Sequence, residues 1–170
     1  MQELRACLDS LGFLRVTTYI ASGNAIVTSD KTPDAIKTLI ETTLPAVFKL
    51  DSDLVKVLVL SHQQLVAIIK NKPDGFGDES NKYHSDVLFT IDVTVDEVMP
   101  LFKPREGVDK IWQGDGVIYS QRLSAERTKS RLSAIMASPL YKSLTIRNWN
   151  TTIALLDLMS EVSNSSAEAR

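Results

Sequence analysis

The chain has 170 residues, enough for one domain or two small lobes, and its 44% hydrophobic and 24% charged content excludes wholesale disorder, collagen and a fibrous repeat. Nineteen basic against 21 acidic residues leave a formal net charge of -2, which argues against bulk electrostatic adhesion to nucleic acid or to an anionic membrane. A single cysteine, Cys7, cannot form an internal disulfide and points to a reducing cytoplasm; with only His62 and His84 beside it, a soft structural zinc site is excluded.

Leu4, Leu8 and Leu11, with Cys7 on the same stripe, recur at helical spacing, and Gly12 is placed to end that helix. Charges interrupt this opening segment, so it does not read as a signal peptide. The longest apolar runs, Leu58 to Leu60 and Val98 to Phe102, fall far short of the roughly 20 residues of a membrane span. Val16 to Ile20 reads as a strand, Ser22-Gly23-Asn24 as turn chemistry and Ala25 to Thr28 as the return strand, a hairpin over 15–29. Thr32-Pro33 opens a helix with Ile36, Leu39, Ile40 and Leu44 on its apolar stripe; Pro45 threatens to kink it. Leu54 to Leu60 is a nearly continuous apolar run, expected to be a buried strand. Ser61 to Gln64 has capping-box character before a helix carrying Leu65, Ile68 and Ile69.

Residues 71–82, NKPDGFGDESNK, combine proline, two glycines and many charges and read as a linker or long loop. Beyond them come a strand (Ser85 to Ile91), a short helix capped by Thr94 and a hairpin of Val108 to Trp112 with Val117 to Ser120. Ser124 is expected to cap a helix through Leu132, Ile135 and Met136, and Thr145 to Met159 to form a last helix. The tail 160–170 has little apolar content and is expected to fray. The order αββαβα, linker, βαββαα predicts an α+β protein of two ferredoxin-like (split βαβ) lobes, the first lacking its first strand. The lobes would be residues 1–70 and 83–159, with 71–82 between them and a C-terminal helix at the end.

Three stretches support a family resemblance: Leu4 to Asn24 (LRACLDSLGFLRVTTYIASGN), Arg127 to Leu132 (RTKSRL) and Thr145 to Thr151 (TIRNWNT). In order and separation the chain resembles the domain-of-unknown-function family 1697 of uncharacterised bacterial proteins, to about Met159. The resemblance implies two ferredoxin-like lobes and no particular reaction. Family members usually begin with a hydrophobic strand and a glycine-rich Arg-Gly-Ile-Asn-type loop upstream of the helix that starts here near Met1. A split βαβ sheet without that strand would have unpaired backbone groups on its neighbours, from which three readings follow: the gene start lies upstream, the lineage has lost the strand, or another chain fills the gap, the last predicting a homodimer joined by strand pairing.

Candidate functional residues fall in three places. Tyr19, Ser22 and Asn24 lie at the first hairpin, where a ligand-facing turn competes with simple turn chemistry. The segment Arg122 to Arg147 sets six cations against Glu126, a local charge of +5 that leaves -7 for the rest of the chain. Arg127 and Arg131, four apart on a helix, would stand about 6 Å from each other and clamp an anion. Thr145, Arg147, Asn148, Trp149 and Asn150 would complete the seat at a helix start, unless Trp149 is a packing anchor and Asn148 a cap. No catalytic constellation stands out: there is no Walker loop, Gly-x-Gly-x-x-Gly, HExxH or nucleophile elbow, and no metal ligand set or cofactor is indicated. The reading is therefore a cytoplasmic binding protein, not an enzyme, for a small anionic ligand such as a nucleotide. Alternatives are a phosphoryl- or acyl-transfer enzyme using Ser22 or Tyr19, and an RNA-contacting module stacking bases on Tyr19, Phe89, Trp112 and Tyr119.

Overall fold

The computed structural model describes residues 1–19, 23–50 and 54–167, with side chains to 163. Its contacts divide the chain into two units, Met1–His62 with Ala154–Arg170, and Gln63–Ile153. Residues 71–82 lie within the second.

In the first unit, helix α1 (Gln2–Ser10) is followed by Gly12 at φ +84°, the left-handed turn expected from the sequence. Strands β1 (Leu14–Tyr19) and β2 (Asn24–Thr28) pair antiparallel. Their register shifts between Leu14 and Thr17, where Arg15 takes φ +53°. Helix α2 (Pro33–Val47) starts as expected: the Ala35 N–H donates to the Thr32 hydroxyl at 3.3 Å. Pro45 sits in its last turn, where the missing amide interrupts little. Leu8, Phe13, Val16 and Ile36 form the core, with Leu39, Ile40 and Val59 against it. Cys7 is buried on the α1 stripe.

The strand expected at Leu54 to Leu60 does not form. Among the described residues they join no ladder, and the sheet of this unit has two strands. A strand requires a neighbour's backbone; here the Val57 N–H donates instead to the Glu41 carboxylate at 2.7 Å.

The second unit is built on a four-stranded antiparallel sheet in the order β4-β5-β3-β6. Its strands are β3 (Tyr83–Thr90), β4 (Asp109–Gln113), β5 (Val117–Leu123) and β6 (Leu144–Asn148). Helix α3 (His62–Lys70) precedes them and the short α4 (Val95–Val98) follows β3. The α4 start is a complete capping box: Glu97 N–H donates to the Thr94 hydroxyl and the Thr94 N–H to the Glu97 carboxylate.

Register assigns the faces, because directly opposed residues share a side. Leu88 opposes Ile118 and Ile146, and that side packs with Val95, Val98, Phe102, Leu132 and Ile135. Val87 opposes Tyr119 and Arg147, and Trp112 opposes Tyr119, so these four occupy the other side. There the Tyr119 hydroxyl donates to the Ile68 carbonyl of α3 at 2.7 Å. Phe76, from the segment read as a linker, is fully buried and meets Trp112, Tyr119 and Trp149 edge-on at 6.0, 5.1 and 5.1 Å between ring centroids.

Two helix expectations need correction. The helix expected from Ser124 is instead three 3-10 turns, Ser124–Lys129, Leu132–Ala137 and Pro139–Ser143. Ser130 (ψ 142°) and Ser138 (ψ 141°) are extended between them, the latter as the residue before Pro139 must be. The helix expected from Thr145 starts only at Trp149: α5 spans Trp149–Ala167, with β6 occupying its expected first turn. It continues through most of the tail expected to fray.

Candidate functional site

The 3-10 turns do not lie flat on the sheet. Between them and the Leu88 side is a cleft of about 390 Å³. Its strand-borne lining is polar at one end, with Asp86, Ser120 and Arg122, and apolar beyond, with Leu88 and Ile146; the 3-10 turns add Arg127, Ser130 and Ser133 together with Leu132, Ile135 and Met136. The polarity follows the strands: Asp86 opposes Ser120 and His84 opposes Arg122, while the next row inward is Leu88 with Ile118.

At the polar end Asp86 Oδ2 lies 3.1 Å from His84 Nε2 and 3.8 Å from Arg122 NH1. The Arg122 Nε is buried without a hydrogen-bond partner among the described residues. Arg127 is exposed, and its guanidinium makes no hydrogen bond or ion pair among those residues. Asp109 opposes Arg122 on the edge strand and is only 7% exposed. Burial alone would raise its pKa. The N–H groups of Arg131 and Arg105, which donate to Oδ2 at 2.9 and 3.0 Å, outweigh that together with the Ser130 hydroxyl and the Arg122 charge, and hold it below the ordinary carboxylate value.

The residues singled out in the sequence do not converge. Arg127 lines the cleft, but the break at Ser130 removes the helical face it was to share with Arg131. Arg131 is exposed and serves through its backbone N–H to Asp109. Arg147 and Thr145 are on the opposite side of the sheet: Arg147 NH1 donates to the Thr145 hydroxyl and the Ile146 carbonyl, both at 2.8 Å, and burial lowers its pKa. Asn148 caps α5 through the Asn150 N–H at 3.1 Å and donates to the Ser85 carbonyl. Trp149 is buried against Phe76 and Gly77. Tyr19 and Asn24 close the first hairpin, where the Asn24 amide donates to the Tyr19 carbonyl at 3.2 Å; Ser22 lies outside the described residues. Phe89 and Tyr119 are buried and Trp112 packs on Phe76, so none of the three forms an open stacking platform for RNA bases. Asp86, Ser120, Arg122, Ser130 and Ser133 were not anticipated as a group, because only the strand register brings them together. Among the described residues no three His, Cys, Asp or Glu side chains are grouped to hold a metal, and no helix is long and apolar enough to cross a membrane.

The fold is α+β, with two antiparallel sheets. The chain belongs to the family described as a protein of unknown function (DUF1697), whose model matches residues 1–119. Its fold is similar to that of the conserved bacterial protein SP0830 from Streptococcus pneumoniae, with a TM-score of 0.77 and 23% identity over 94% of this chain and 88% of that one. Comparison with curated proteins gives no match.

Proposed function

We propose that the second unit is a split βαβ, ferredoxin-like module that binds a small anion in the cleft beside Arg122 and Arg127. The strand order β4-β5-β3-β6, with α4 and the 3-10 turns as the two crossover segments, supports the architecture. The observation that carries the binding reading is the pair of guanidinium groups lining one cleft over an apolar floor. Such a concave, mostly apolar site with a few convergent polar groups is the usual form of a small-molecule pocket, and a guanidinium fork suits carboxylate or phosphate. The test is a thermal-shift panel of orthophosphate, AMP and benzoate at millimolar concentration. At least one should raise the melting temperature of the wild type, and raise it less in Arg127→Ala. No shift with any of them overturns the reading.

A second reading concerns the first unit. Its sheet has two strands, so each strand has one side without a ladder neighbour among the described residues, which favours pairing with a second copy of the chain. Sedimentation at micromolar concentration should then show a dimer; a monomer throughout refutes it.

A further inference from the structure

Resting on that reading of the cleft, we propose that its ligand is an amphipathic monoanion: a carboxylic acid with a hydrocarbon body, its head at Arg122 and Arg127 and its body over Leu88, Ile146, Ile135 and Met136. Three observations point to this class rather than to a phosphate-rich ligand.

The first is charge. The ionisable lining groups are Arg122, Arg127 and Asp86; Arg122 faces both Asp86 and Asp109, so Arg127 is the lining cation without a carboxylate partner among the described residues. One carboxylate balances it, whereas a di- or triphosphate would place excess negative charge beside Asp86. The second is the shape of the polarity. The rows of Arg122 and Leu88 are four residues apart along the sheet, about 13 Å at strand spacing, so a head held at the first row projects a medium-length body onto the apolar one. The third is the character of the walls. Phosphates are commonly cradled by successive backbone N–H groups, which glycine-rich loops supply. The cleft lining contains no glycine. What it offers is side chain, including Met136, 60% exposed and able to adapt to bodies of different shape.

Titration calorimetry with acetate, hexanoate, octanoate, 1-octanol, orthophosphate and AMP tests the class. Affinity should rise from acetate to octanoate by up to about fourfold per buried methylene. Octanol should bind at least tenfold more weakly than octanoate. Arg127→Ala should weaken octanoate severalfold. Met136→Ser, at an exposed position that spares the fold, should weaken octanoate more than acetate and so flatten the chain-length dependence. If orthophosphate or AMP binds and octanoate gains nothing over acetate, the amphipathic class is overturned and the anion site stands. If octanol matches octanoate, or no anion binds, both fall.

Discussion

Replacing Phe76 by alanine tests the least expected contact in the molecule. Phe76 is fully buried, with three aromatic rings edge-on to it within 6.0 Å. Truncating such a phenylalanine removes its transfer free energy and leaves a cavity that its neighbours fill only in part, about 3–5 kcal/mol in comparable cores. Rigid indole and phenol rings fixed by the sheet and by the start of α5 cannot collapse far, which places the loss toward the upper end. With a urea m-value of about 2 kcal/mol/M, the unfolding midpoint should fall by about 1.5–2.5 M. Far-UV circular dichroism against urea reads this directly, and Phe76→Leu, which conserves most of the volume, should lose less than about 1.5 kcal/mol. Were residues 71–82 a tether, Phe76→Ala would be nearly silent; a loss below 1 kcal/mol would refute the packing argument.

Gly75 and Gly77 form a matched pair. Both take positive φ, +76° and +78°, but a Cβ at Gly75 meets open space while one at Gly77 would overlap the Trp149 indole. Gly75→Ala should cost the backbone penalty alone, about 1–2 kcal/mol, and Gly77→Ala clearly more; equal losses in urea unfolding would contradict this. The depressed pKa of Asp109 contributes stability that is complete above the unfolded value near 3.9 and is lost as pH falls through the lower folded one. The stability gap between wild type and Asp109→Asn, wide at pH 7, should therefore narrow below about pH 4, and a constant gap would show that charge is not the cause. Thr94→Ala removes one half of the capping box and should cost about 1 kcal/mol, measurable as a shifted thermal midpoint without change in m-value.

Elements whose determinants are local were legible in the sequence: the Thr32-Pro33 start, the Thr94–Glu97 box, and the hairpin ending at Gly116, which takes φ +67°. Elements that depend on a distant partner were not. Leu54 to Leu60 has strand composition but joins no ladder among the described residues. Leu144 to Asn148 has a neighbour, β3, which converts an expected helix start into an edge strand. That conversion also decided the candidate site. On a helix, Arg147 would have been free to turn toward Arg127; on β6 the two-residue alternation commits it to the Tyr119 side, away from the cleft. The hydrophobic spacing of Leu132, Ile135 and Met136 suits a 3-10 turn as readily as an α-helix, and Pro139 ends that turn through its extended neighbour Ser138.

Both tryptophans of the chain, Trp112 and Trp149, fall in the second unit and touch the same phenylalanine. Intrinsic fluorescence excited at the indole band therefore reports chiefly on the second unit, whereas peptide-bond absorption averages over both. A single melt followed by the two signals would reveal without any labelling whether the halves come apart together or in sequence.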